Sequence, residues 1–576
     1  MRRFLLLTIV WASLGAAWGS AADRSALTLL PETTVLYVEF PDPPQLISTI
    51  FDHPLRTRIE ALEPYKAATQ TDGYRAFHFG RTFLELQLGM KWREALETLT
   101  AHGIYAGVDS RTEGLVVLVH AKDAASLDLF RTKLLEISKL GKNPDQVREG
   151  EYRGIKAYEV DKTKFAVVDD WLVITNQGKT GQAVLDRLLD SPAECLANHG
   201  PFKTAREQRP DNATAWGYAD LATLRDAGVA KKLFAGESEN PAAELLVGGI
   251  LSALQQTPYV TATLKANSAG LALELSMPHH SEWIPEHRVF YFGQDGAGKA
   301  TALPQTQNTL FTLGTYRDVA DMWLRAGDLF NEKINDGFAA ADATLTTFFS
   351  GKDFAEDILG SLTPQIGFVA TQQDFRHVLP VPSIKLPQFA LVLQMKEPET
   401  MTREMRRTFQ SMIGFFNVLG AMEGRPQLEL NMEKLDGGAE LISSVYIPEV
   451  GDEQSTSADV LFNFSPSVGF RDAQFVVAST DRLARELVQA PPAAADETPV
   501  NTSAKLYGGV LQTVLHDNRE QLISQNMLEE GHSREEAEAA IALLLEFVGY
   551  FQQAGVTLDA EADRLSVRFD VAVQAE

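Results

Sequence analysis

The densest set of possible metal ligands in the chain is His279, His280, Glu282, Glu286 and His287. Imidazole and carboxylate together suit zinc or a similar ion. The spacing matches no closed site, however, and there is no HExxH helix to place two imidazoles on one face. A solvated linker is the stronger reading. His279, His280 and His287 stand as the metal candidates, and no catalytic or cofactor-binding residue is assigned. Two stretches imitate a phosphate-binding loop. Gly293 and Gly298-Lys299 have the spacing, but Ala300 occupies the place of the magnesium-binding Ser or Thr, and Pro304 blocks a helix there. Gly178-Lys179-Thr180 lies between a strand and a helix, but Val173 replaces the leading glycine, so few backbone amides are free to line a cradle. Both read as ordinary turns and caps.

Asp169-Asp170 is a carboxylate pair, yet adjacent residues at a hairpin tip point apart, and short Asp side chains serve tight turns. Cys195, the only cysteine, excludes an internal disulfide and reads as a small buried hydrophobe, since nothing nearby would lower its pKa. The helix Thr402–Leu419, with Phe409, Met412, Phe415 and Phe416, offers lipid binding or core packing, and packing is the stronger reading. No nucleophile elbow, EF-hand or CxxC pair is present.

The elements that would position these residues form a pattern that occurs twice. FAVVDDWLVITNQGKTGQAVLDRLL, from Phe165 to Leu189, reads as strand, two-residue turn, strand, loop and helix. VGFRDAQFVVASTDRLARELV, from Val468 to Val488, repeats it, with Asp472 on Asp169, Val476 on Val173 and Leu487 on Leu188. Other landmarks keep the same order. Leu30-Pro31 matches Leu303-Pro304, Leu115–Val119 matches Phe389–Leu393, Tyr218 matches Tyr507, and Thr263–Leu275 matches Thr557–Phe569. Size and polarity recur while identities drift, as core positions allow.

At 576 residues the chain exceeds one core. Residues 1–21 read as a signal peptide: Arg2 and Arg3 precede the apolar run Phe4–Ala17, and small residues follow. Residues 22–280 then form a first α+β unit, 281–302 a junction with Arg288–Phe292 as an edge strand, and 303–576 a second unit. Thr371–Pro387 is much longer than the matching turn Ser110–Gly114. Pro491–Pro499 reads as an exposed acidic loop. The net charge of −25 repels nucleic acid and anionic lipid. No later apolar run reaches transmembrane length.

The leader, the Leu30-Pro31-x-x-Thr34 opening, the Tyr152-Arg153-Gly154-Ile155 start of a meander and the VVDDWLVITN hairpin together resemble exported bacterial proteins grouped only as a domain of unknown function. The resemblance implies an envelope or secreted setting and carries over no site residues.

The expected fold is therefore α+β: two tandem, internally duplicated units of antiparallel-rich sheet with helices packed on one face. The expected role is an exported, non-enzymatic binding or scaffold protein without a cofactor. Its partner would be an unidentified ligand or envelope protein, met through the loop Thr371–Pro387 or a cleft between the halves. A hydrolase using acidic residues in that cleft is the alternative.

Overall fold

The computed structural model describes residues 25–139, 147–190, 194–236, 238, 240–304, 306–349, 351–378, 380–447, 459–491 and 499–574. The expected leader and most of Pro491–Pro499 lie outside the described residues. The chain divides into two compact units. The first takes the chain up to Ala230 together with Thr257–Met277. The second takes Lys231–Gln256 and Pro278–Gln574.

Among the described residues, the first unit is built on ten strands: β1 (Thr34–Phe40), β2 (Ile104–Asp109), β3 (Gly114–His120), β4 (Val147–Tyr152), β5 (Ile155–Val160), β6 (Thr163–Val168), β7 (Trp171–Thr175), β8 (Ala215–Asp220), β9 (Tyr259–Asn267) and β10 (Gly270–Pro278). They pair antiparallel in the order β4-β5-β6-β7-β3-β2-β1-β8-β9-β10.

The described residues of the second unit also form ten: β11 (Thr309–Tyr316), β12 (Leu362–Thr371), β13 (Gln388–Met395), β14 (Leu428–Lys434), β15 (Glu440–Tyr446), β16 (Ser467–Arg471), β17 (Gln474–Ala478), β18 (Thr502–Tyr507), β19 (Phe551–Ala560) and β20 (Arg564–Val573). Their order, β14-β15-β16-β17-β13-β12-β11-β18-β19-β20, is that of the first unit strand for strand.

The hairpins that mark the sequence pattern agree in detail. Val168 pairs with Trp171 and Arg471 with Gln474, leaving a two-residue turn in each. Asp169 and Asp472 open those turns at φ 54° and 50°. A two-residue hairpin turn needs this left-handed backbone, which Asp tolerates better than most residues because its side chain bonds locally.

Each hairpin leads into a helix that seals one face of the sheet. Gly178–Asp190 buries Val184, Leu185 and Leu188 in the cluster that contains Val116, Leu118, Ala166 and Val173. Asp481–Gln489, capped by Thr480, buries Leu483, Ala484, Leu487 and Val488 beside Val369, Ala390, Leu441 and Val476. Helices cover the other face as well, which departs from the one-faced packing expected. Ala124–Lys139 brings Leu127 and Phe130 onto Val167 and Leu172, and Pro398–Glu423 brings Met401, Met405, Phe409 and Ile413 onto Ile442, Phe470 and Phe475. Successive residues of a strand point to opposite faces, so the unbroken run Leu172-Val173-Ile174 requires cover on both sides.

The segment Arg288–Phe292 is not an edge strand. It is a 3-10 turn, Glu286–Arg288, followed by one helical turn, Val289–Phe292, that buries Phe290, Tyr291 and Phe292. A short apolar run has no period of its own to distinguish the two forms. Buried polar contacts decide it. Arg288 donates from Nε and Nη2 to the two carboxylate oxygens of Glu244, at 2.7 and 2.9 Å, and Tyr291 Oη donates to Leu246 O at 2.6 Å. Those bonds hold the helix Pro241–Gln256 in the second unit, although its place in the sequence is in the first. Arg317, also buried, donates to Leu245 O, Tyr316 O and Asn501 Oδ1 and lies over the Tyr291 ring at 3.4 Å. Among the described residues, no helix is long and apolar enough to cross a membrane.

Candidate binding site

The two units differ where the second strand of the β1-β2-β3 arrangement turns into the third. In the first unit this end of the sheet is closed. Asp109, buried, accepts from the Thr33 hydroxyl and from the backbone and hydroxyl of Thr112, and Thr112 Oγ1 lies 2.7 Å from Thr180 Oγ1. Gly114 makes the closure possible, because a Cβ there would collide with Thr180 Oγ1.

In the second unit residues 372–387 replace that turn. Thr371 now stands where Asp109 stood, as the last residue of its strand. Gln388 donates from Nε2 to Thr371 Oγ1 at 2.9 Å and accepts from Thr480 Oγ1 at 2.6 Å. Thr480 in turn accepts from Leu483 N. This buried chain ties the loop's end to a helix cap. The loop is pinned near both of its ends. Lys385 N and O bond Asn518, Ile384 O and Leu386 N bond Asn463, and Gln372 Nε2 donates to Asp517 at 2.9 Å. A long connection held at this many points is built structure and not slack.

The loop walls a cavity of about 540 Å³. Its lining includes Gln307, Gln372, Gln373, Asp374, Phe375, Arg376, Lys385, Gln388, Arg482, Glu486 and Asp517. Three carboxylates face three cations, so neither sign prevails. The carboxylates are committed. Asp374 accepts from Arg376 side chain and backbone and lies 3.3 Å from Arg482, which holds its carboxyl far below the usual range. Glu486 accepts from Gln307 N at 2.7 Å, and Asp517 accepts from Gln372. Gln373 is different. It is nine-tenths buried, it lines the cavity, and its Oε1 has no hydrogen-bond partner. A buried carbonyl oxygen left unpaired costs free energy unless something donates to it.

The residues singled out in the sequence fall elsewhere. His279 is buried against Phe292, with ring centroids 5.1 Å apart, and neither ring nitrogen has a partner. Burial, with the neighbouring His280, pushes its pKa down to about 4. His280 lies edge-on to Trp283, and His287 sits in the turn Glu286–Arg288, its pKa lowered by burial and by Arg288. Among the described residues, no group of three His, Cys, Asp or Glu side chains converges to hold a metal. Lys299 is occupied by Asp559 and Ala560 O, and Thr180 by Thr112, so of the two loops resembling a phosphate cradle the one at Gly298 does not have its cation free and the one at Gly178 does not have its hydroxyl free. Cys195 is buried.

One pair escaped the sequence reading. His120 Nε2 lies 3.0 Å from Asp170 Oδ2, with the imidazole stacked on Trp171 at 4.0 Å. Asp170 was visible only as a turn residue, and nothing in the spacing of residues 120 and 170 announces the contact. Among the described residues no hydroxyl or thiol bonds this imidazole, so the pair lacks the nucleophile of a hydrolytic triad. Every carboxyl among the described residues whose pKa is displaced is displaced downward. That is the direction opposite to a general acid working near neutral pH.

No protein-family model matches the chain, and no curated protein matches it. Among solved structures, crystal form IV of TP0453 is similar over 45% of this chain and 81% of its own, at 12% identity and a TM-score of 0.25. Crystal form III of TP0453 is similar over 44% and 80%, at 12% identity and a TM-score of 0.24. Likeness at that level carries no argument about fold or function.

Proposed function

We propose that the protein is an exported, non-enzymatic binding protein of the cell envelope, and that its ligand seats in the cavity walled by residues 372–387. The observation that carries this reading is Gln373, a buried carboxamide lining the cavity with an unpaired oxygen. The lining also favours a ligand class. Balanced charges select neither an anion nor a cation, while carboxamides both donate and accept, as a hydroxyl does. Phe375 adds an apolar surface. A neutral, hydroxyl-rich molecule such as a short glycan fits these groups. Export rests on the character of residues 1–21. The identical strand order of the two units supports an origin by duplication, after which one copy kept the closed turn and the other gained the loop.

The test is native mass spectrometry of the mature protein isolated gently from its own envelope, followed by titration with a neutral glycan panel. A variant in which residues 372–387 are replaced by the turn Ser110–Glu113 should keep its circular dichroism and lose the bound mass. Retention of the ligand by that variant places the site elsewhere. A clean mass from the native source, with no binding across the panel, removes the binding reading.

A further inference from the structure

The helix Pro398–Glu423 is held to the sheet over only part of its length. Its buried residues, Met401, Met405, Phe409 and Ile413, recur every four positions and stop at Ile413. Beyond that point Phe415, Phe416, Val418, Leu419 and Met422 are 54%, 46%, 62%, 42% and 80% exposed. This is not the exposure of a frayed end. Asn417 locks the last turns against the rim of the sheet, donating from Nδ2 to Leu428 O at 2.8 Å and accepting from Leu428 N at 2.7 Å. At about 100° per residue the five apolar side chains share an arc of roughly 160°, with Asn417 outside it. The outward face of the helix therefore changes from polar, with Arg403 and Arg407 exposed, to apolar over its final three turns. No charged residue lies between Arg407 and Glu423.

We propose that this face is a homodimer interface, in which the apolar ends of two such helices pack against each other about a two-fold axis. Charge restricts where a second copy can dock. The chain carries −25, so two copies, or a copy and an anionic surface, repel each other almost anywhere else. A two-fold contact must match itself, and a charge-free apolar patch does so without opposing like charges. The area is also adequate. The five side chains, with Leu430 and Met432 exposed beside them on β14, offer roughly 600–700 Å² per copy, near the ~800 Å² per partner of a standard interface. The neighbouring edge of β14 does not serve the purpose. Antiparallel pairing of that strand with itself about Asn431 would set Glu429 opposite Glu433 of the second copy, and directly opposed like charges destabilise a sheet.

Sedimentation of the full mature chain across a range of concentrations, with Val418→Asp and Leu419→Cys variants, tests the interface. Cys195 is buried, so Leu419→Cys adds one accessible thiol. The wild type should sediment as a dimer. Val418→Asp, at an exposed site that leaves the fold unperturbed by near-ultraviolet circular dichroism, should weaken association at least about tenfold. Leu419→Cys should cross-link on mild oxidation, whereas Leu528→Cys, 86% exposed on another helix, should not. A monomeric wild type, a dimer unaffected by Val418→Asp, or equal cross-linking at both cysteines overturns the proposal. So does a monomer that floats with phosphatidylcholine vesicles and loses this on Val418→Asp, because the occupant is then lipid.

Discussion

Lowering the pH should loosen the second unit through one imidazole. His279 is 2% exposed, packs on Phe292 and has no partner for either nitrogen. Burial drives its pKa down from 6.5 to about 4. The unfolded chain then binds a proton that the folded chain refuses throughout that window. Because the folded pKa is the lower one, stability is full above the unfolded value and falls as the pH drops through the window. The loss levels off below about pH 4. The full difference is about 3 kcal/mol, of which roughly 1 kcal/mol is gone by about pH 5.5. Other groups titrate over the same range, so the informative quantity is a difference. Urea midpoints of wild type and His279→Phe should be compared from about pH 7.5 to about pH 4.5, where the phenyl ring keeps the apolar contact but cannot charge. The gap between the two proteins should move in favour of the variant by about 2–3 kcal/mol on acidification. A gap that stays constant with pH would refute the reasoning and mean that water or another group satisfies the imidazole.

The two helices that follow the hairpins bury equivalent leucines, so Leu188→Ala and Leu487→Ala should each cost about 2–5 kcal/mol in urea denaturation. Arg317→Met should cost about 3 kcal/mol, because it strips donors from Leu245 O, Tyr316 O and Asn501 Oδ1 in a buried site; faster hydrogen exchange in Pro241–Gln256 would locate the damage. Ser533 and Glu536 close a reciprocal cap on the helix Arg534–Gly549, so Ser533→Ala should lower the local stability of that helix by about 1 kcal/mol, read by hydrogen exchange.

Much of the fold was legible because its signals are local. Asp169 and Asp472 announced hairpins, since a two-residue turn needs a left-handed backbone that few side chains accept. The helix start at Ser533-x-x-Glu536 is likewise a signal of contacts three residues apart. The β-rich runs of Phe165–Thr175, split by a two-residue turn, and their echo carried the order of strand, turn, strand and helix. Local signals fail where the period is too short to read. Val289–Phe292 has four apolar residues and no polar partner in sequence, so its helical turn depends on Glu244 and Leu246, more than forty positions away.

The candidate site divides in the same way. The sequence by itself determined that residues 371–387 are a long insertion at a place where the other half has a short turn, because length is a property of the chain. It also determined the α+β class, through hydrophobic period and turn chemistry. Only the tertiary structure decided that the loop is pinned and that Gln388 bridges Thr371 and Thr480. Only there do Gln373 and Arg482, far apart in the chain, line one cavity, and His120 meet Asp170. Period and propensity act over a few residues, whereas a binding site is made by side chains that the sheet register brings together from separate strands and helices.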